Sequence, residues 1–250
     1  MSENYYTSAD IIKKCVEAMR VPETFYSQKF IDYRSNTTDD NRLCTELIAE
    51  YLLREENYER LNGIATQSRT AVRKKYNMGH QGKYPPNADH RSEKIIGIDL
   101  FNQCKEQGTF DHIGKILDYQ IPLKTQRSDP YGEIDLLSVN EDENIVYFLE
   151  LKKKNAKVPA TMLHCVLEAF TYYRIVDTDN LLKEFGKQGA AILIAPLVFA
   201  GDEQYKEWVD MNNGNRPYLK ALMQKMRAVP FFLYGDPKKN DKCGYTVKEK

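Results

Sequence analysis

Apolar residues recur along the chain in two rhythms, one of helical and one of strand period, and these set out the elements before any chemistry is considered. Over residues 8–20, Ile11, Ile12, Cys15, Val16 and Met19 fall at helical spacing, with Ser8 as a cap and Pro22 just beyond the end. Residues 25–38 are ambiguous and rich in turn formers. Leu43, Cys44, Leu47, Ile48, Tyr51 and Leu52 form the buried stripe of a second helix over 40–56. A third is expected over 66–77, ending in the basic run Arg73-Lys74-Lys75, before a loop of Gly and Pro at 78–91. Ile95, Ile96, Leu100 and Phe101 predict a helix from Ser92 to Gln107, stopped by Gly108.

Beyond this point the period shortens. A strand is expected within 111–124, ending near Leu123, and two more at 132–139 and 145–151. Leu163, Val166, Leu167, Phe170 and Tyr173 give a helix over 160–176 an apolar face, and the continuous run at 190–196 has the pattern of a buried central strand. Helices at 202–211 and 216–227, a strand at 230–234 and a loose polar tail from Lys238 complete the expectation. The order α-β-β-β-α-β from Ser92 onward implies an α/β fold, a central mixed sheet flanked by helices on both faces. The implied organisation is an N-terminal helical region over 1–86, a core with C-terminal helices and a strand over 87–236, and a polar tail over 237–250.

Composition adds boundaries. The 250 residues are 42% apolar and 29% charged, an ordinary globular balance rather than a disordered one. Lys+Arg and Asp+Glu both number 36, and a chain without net charge is a poor candidate for coating DNA by bulk electrostatics, although a local basic groove is compatible with it. The 17 tyrosines fit base stacking or packing at the solvent edge of a core. The five cysteines are scattered, odd in number and without CxxC spacing, which points away from a zinc knuckle or a disulfide framework. The first residues lack a signal-peptide pattern and no apolar run reaches membrane-spanning length, so the expectation is a reduced, cytoplasmic protein without a membrane partner.

Chemistry concentrates in residues 132–154, GEIDLLSVNEDENIVYFLELKKK. Charges inside apolar strands are costly unless they are paired or hold a metal, and here Asp135 lies in one strand while Glu150 and Lys152 close the next. Alternation places Val146, Phe148, Glu150 and Lys152 on one face, with Ile145, Tyr147, Leu149 and Leu151 on the other. A hairpin closed between Val139 and Ile145 would set Asp135 opposite Leu149, on the wrong face. Joining the three charges therefore requires a register one residue different, or a bulge. The competing reading is a surface salt bridge between Glu150 and Lys152, with Asp135 solvated.

This stretch resembles the PD-(D/E)XK nuclease superfamily, whose aspartate is matched by Asp135 and whose (D/E)-x-K is matched by Glu150-Leu151-Lys152. The predicted element order from Ser92 to Pro196 is also similar to that superfamily's restriction-endonuclease-like core. The resemblance implies a magnesium-dependent phosphodiesterase, with manganese able to substitute, and an endonuclease on DNA as the leading form. Asp135 and Glu150 would ligate metal, the backbone of Leu151 and the acid Glu93 on the first core helix would assist, and Lys152 would stand by the attacking water. Helicase-associated members carry Gln-x-x-x-Tyr on the following helix; here the positions are Glu168 and Tyr172, a departure at the first, and their shared helical face would set both at the border of the site as nucleic-acid contacts. Cutting both strands of a duplex commonly uses two sites, so the analogy adds a homodimer, with the N-terminal helices serving recognition or dimerisation.

Other candidates keep two readings each. Lys153, Lys154, Lys157 and Arg91 fit phosphate contact or a solvated face, as do Arg73, Lys74 and Lys75. Glu46 and Glu50, four apart, fit metal ligation or a solvated helix face. His80, His90, His112 and His164 show no metal-ligand spacing. The alternative function is a catalytically silent protein of the same fold, acting as a nucleic-acid-binding or scaffold module.

Overall fold

The computed structural model describes residues 6–64, 75–89, 92–123, 132–235 and 244–249. Helix α1 spans Ser8–Ala18, and its cap is Thr7 rather than Ser8: the Thr7 hydroxyl and the Asp10 carboxylate exchange bonds with each other's backbone N–H. Two 3₁₀ turns, Pro22–Ser27 and Lys29–Asp32, occupy the ambiguous stretch. The second expected helix is two. It breaks at Arg54 into α2, Cys44–Leu53, and α3, Glu55–Asn62, where the Asn57 side chain donates to the Tyr51 carbonyl at 2.8 Å and satisfies a group left open by the end of α2. Of the helix expected over 66–77, residues 75–77 are not helical and 65–74 lie outside the described residues.

Helix α4, Glu93–Gln107, starts at its expected cap, with Ser92 Oγ accepting from the Ile95 N–H, and stops at Gly108, whose φ of 100° suits only glycine. Strands β1, Lys115–Pro122, β2, Glu133–Asn140, and β3, Ile145–Leu151, form an antiparallel meander. Helices α5, Met162–Ile175, and α6, Thr178–Glu184, cross back to β4, Ala191–Phe199, parallel to β3. Helices α7, Glu203–Asn212, and α8, Pro217–Lys225, cross to β5, Phe231–Tyr234, parallel to β4. Residues expected in the polar tail instead include β6, Thr246–Lys248, antiparallel to β5: Val247 is buried while its neighbours face out, too short an alternation to register in the sequence. Among the described residues these strands form one six-stranded mixed sheet in the order β1-β2-β3-β4-β5-β6, flanked by helices, an α/β fold as expected.

The sheet separates two apolar clusters. On one face, Leu137, Val139, Val146 and Phe148 pack with residues of α1, α2, α5 and α8, so the N-terminal region and the α/β core share one continuous interior. On the other face, Leu136, Tyr147 and Leu149 pack against α4. Tyr76 and Asn77 donate their N–H groups to Glu184 of α6, and further along the Tyr84 hydroxyl donates to Asp99 of α4 at 2.7 Å and the Asn102 amide to the Gly82 carbonyl at 2.9 Å. Among the described residues no helix is long and apolar enough to cross a membrane.

Glu46 is not on a solvated face. It is buried, and its two oxygens accept the N–H groups of Tyr218 at 3.0 Å and Leu219 at 2.8 Å, capping α8 from α2. Glu50 instead pairs with Arg42. Glu46→Ala leaves two amides without their acceptor and is expected to lower the unfolding free energy by about 1–3 kcal/mol. A lower urea midpoint at unchanged slope would show this. An unchanged midpoint would contradict the capping role.

Candidate active site

Strand β2 pairs with β3 so that Asn140 stands opposite Ile145 and Leu136 opposite Leu149. Extending that ladder outward by one pair brings Asp135 opposite Glu150, the register one residue away from the simplest hairpin that the charges required. The turn between the strands explains it. Residues 141–144 close a four-residue loop, with the Glu143 N–H donating to the Asn140 side chain at 3.3 Å and Asn144 in the left-handed region at φ 54°. Asp135 and Glu150 thus share the α5 face of the sheet. The Leu151 N–H donates to Asp135 Oδ2 at 2.9 Å and ties the two strand ends together.

Lys152 follows β3 directly. Its N–H donates to the Leu197 carbonyl at 3.1 Å, continuing the pairing with β4, and its ammonium reaches Glu150 Oε1 at 2.5 Å and Glu168 Oε2 at 2.8 Å. Glu168 comes from α5, where His164, Glu168 and Tyr172 form a polar stripe at i, i+4 and i+8 on a helix whose other positions are largely buried and apolar. The Tyr172 hydroxyl donates to Glu168 Oε1 at 2.9 Å, and His164 Nε2 lies 3.5 Å from Glu168 Oε2. A Cβ on Gly132 would lie 2.2 Å from the Tyr172 hydroxyl, so the residue entering β2 has to be this small.

Glu168 stands against Lys152 with the Tyr172 hydroxyl bonded to it, the two positions expected to border the site, whereas His164, Tyr26 and Asp32 join them without having been expected from sequence. His164 was legible as a polar i−4 partner of Glu168. Tyr26 and Asp32 were not, because they come from the ambiguous 3₁₀ segment over 130 residues away in sequence.

Charge in this cluster is out of balance. Burial raises the Asp135 carboxyl to about 7, with Glu168 and Glu93 adding to the rise against Lys152 and the Leu151 N–H. Burial also pushes Glu150 well up, helped by the neighbouring Glu168 charge and opposed by Lys152. For Glu168 burial acts in the same sense but is outweighed by Lys152, by hydrogen bonds from Glu150 and Lys152, and by His164, so this carboxyl is held below its ordinary value. Burial disfavours the ammonium of Lys152, yet Glu150 and Glu168 overcome it and raise Lys152 well above the usual range. One ammonium thus faces three carboxyl groups, of which burial pushes Asp135 and Glu150 up while Lys152 holds Glu168 down.

The remaining predicted residues are less central. Glu93 begins α4 on the opposite face, accepts the Lys153 N–H at 3.1 Å, and lies near enough for its charge to raise Asp135. The Leu151 side chain packs into the apolar cluster beside α4. Lys153 and Lys157 are exposed, and the Lys154 ammonium lies 5.8 Å from the centre of the Phe199 ring. Arg91, with Arg73, Lys74 and His90, lies outside the described residues.

Among the described residues no group of three or more His, Cys, Asp or Glu side chains stands together as a metal cage. A magnesium ion is commonly held by one or two carboxylates and keeps several waters, and Asp135 and Glu150 are two hard oxygen donors on adjoining strands that would fit such a shell. No family model, curated protein or solved structure matches this chain.

The raised Asp135 gives a pH dependence for the metal-free protein. Its folded value of about 7 exceeds the ordinary 3.8, so between the two the native state binds more protons than the unfolded chain. This stabilisation is complete below the lower value and is lost as pH rises through the higher. Unfolding free energy measured in chelator should decline across that window, and Asp135→Asn should remove that part of the decline. A decline that survives the substitution unchanged would contradict the assignment.

Proposed function

We propose that this protein is a metal-dependent nuclease that hydrolyses phosphodiester bonds, acting as an endonuclease on DNA. The observation that carries the reading is the juxtaposition of Asp135 and Glu150 on one sheet face, with the Lys152 ammonium held between Glu150 and Glu168. The likeness of Asp135 and Glu150-Leu151-Lys152 to the PD-(D/E)XK superfamily motif, on strands that follow the same order, supports it further.

Asp135 and Glu150 would hold magnesium, or manganese in its place, with the Leu151 carbonyl and Glu93 assisting. When bound, the ion supplies Lewis-acid charge that polarises the phosphate and a coordinated water. The chain's own groups do the rest. Lys152 stays protonated, so its part is electrostatic: a fixed cation beside the charge that develops on phosphate oxygens. Glu168, held below its ordinary value and 2.8 Å from that ammonium, orients it from the α5 side while Glu150 meets it from β3. Lys153 and Lys157, both exposed in the stretch after β3, would meet backbone phosphates.

Supercoiled plasmid, single-stranded DNA and RNA incubated with magnesium or manganese provide the test, with Lys152→Ala and Asp135→Asn in parallel. The expected result is metal-dependent cleavage of DNA that falls about 100-fold or more in either variant. Binding of nucleic acid without cleavage under either metal would favour the other reading, a silent nucleic-acid-binding or scaffold module of the same fold.

A further inference from the structure

The polar stripe on α5 is expensive to maintain. Three polar side chains, one of them charged, interrupt a buried helix face where apolar residues of similar size would cost less. Each is nonetheless fully engaged: Glu168 meets Lys152, and from it the contacts continue through Tyr172 and His164 into the N-terminal segment. Glu168 Oε1 takes the Tyr172 hydroxyl at 2.9 Å, and the Tyr172 oxygen is met in turn by the Tyr26 hydroxyl at 3.3 Å. Glu168 Oε2 faces Lys152 Nζ at 2.8 Å and His164 Nε2 at 3.5 Å. The other nitrogen of that imidazole, Nδ1, lies 2.9 Å from Asp32 Oδ2.

Asp32 is itself held. Its Oδ1 accepts the Thr161 N–H at 2.8 Å, and the Thr161 hydroxyl donates to the Ile31 carbonyl at 3.0 Å while accepting the His164 N–H at 3.1 Å. The Tyr26 ring stands edge-on to Tyr172, 5.6 Å between centroids, and to His164 at 6.1 Å. The two 3₁₀ turns at Pro22–Ser27 and Lys29–Asp32 therefore bracket both ends of the stripe.

Lysine is the residue in the site that most needs such support, because its ammonium rides on a flexible four-carbon stem. Of its two acceptors, Glu150 is shared with the metal-binding role. Glu168 alone is dedicated to it.

We propose that the N-terminal segment is a working part of the active site, in which Asp32 and Tyr26 act through His164 and Tyr172 to fix Glu168, and Glu168 in turn fixes the Lys152 ammonium. Asp32, His164 and Tyr26 are positioning residues in this scheme, not catalytic ones. The proposal rests on the nuclease reading only for its kinetic consequence; the chain of contacts stands independently of it.

The test uses the full chain in three variants: Asp32→Asn, His164→Ala and Tyr26→Phe. The non-kinetic readout is the side-chain NMR signal of Lys152 in protein carrying ¹³C,¹⁵N-lysine, identified by its loss in Lys152→Ala. In the wild type this signal is expected to stand apart from those of the solvated lysines, and in Asp32→Asn and His164→Ala to move toward them. The kinetic readout is cleavage with manganese, where these two variants are expected to lose about 10- to 100-fold in kcat with KM changed by less than about twofold. Manganese affinity measured by electron paramagnetic resonance should stay within the same twofold. Tyr26→Phe removes one hydroxyl and should give a smaller loss in the same sense.

A Lys152 signal unmoved in both Asp32→Asn and His164→Ala, in folded protein, would overturn the proposal. So would equal losses in kcat and manganese affinity, which would mark a merely structural role. If the wild type cleaves nothing, the nuclease reading falls, and the Lys152 signal still decides whether the N-terminal segment positions the ammonium.

Discussion

The pairing of Asn140 with Ile145 determines which face of the sheet Asp135 occupies, and every feature of the site descends from that choice. Strand side chains alternate with period two, so a slip of one residue would turn Asp135 toward α4 and leave Glu150 and Lys152 without it. The slip is prevented from both sides. The turn over 141–144 needs four residues, with Asn144 in the left-handed region and Asn140 bonding the Glu143 amide, and a register closed at Val139 would break that loop. The apolar pattern agrees, because Leu137, Val139, Val146 and Phe148 reach the larger core only in this register.

Given that register, the cluster of Asp135, Glu150, Lys152 and Glu168 is an electrostatic compromise. Bringing carboxylates out of water costs several kcal/mol each, and a single ammonium cannot offset all of them. The balance falls unevenly: Lys152 holds Glu168 below its ordinary value, while burial pushes Asp135 and Glu150 up. A site arranged in this way is short of positive charge. That shortage gives physical content to the expectation of a divalent cation, whatever the resemblance to nucleases suggests. The N-terminal segment joins the cluster: Tyr26 and Asp32 give Tyr172 and His164 partners that an isolated α5 packed on the sheet would lack.

Much of this was legible from local pattern. Helix α4 shows its Ser92 cap, its apolar positions and the Gly108 stop within 17 residues, and the structure keeps all three. The run Glu150-Leu151-Lys152 placed its two charges on one face by alternation alone. What the sequence withheld depends on partners far along the chain. Glu46 reads as one of two acids on an exposed helix face until α8 is folded over it. Arg54 carries no helix-breaking chemistry, and the helix ends there because Asn57 turns back on the Tyr51 carbonyl. The register of Asp135 could be posed as a question from sequence but was answered only by the turn. Asp32 and Tyr26 lie in a segment with no periodicity, so nothing local marks them as neighbours of Glu168.

The most direct measurement is anomalous diffraction from crystals soaked in manganese. The expected result is a manganese peak beside the carboxylates of Asp135 and Glu150, with the Lys152 ammonium still held by Glu168. A map with no manganese between those two carboxylates, and with both retaining only the Leu151 amide and the Lys152 ammonium as partners, would contradict it.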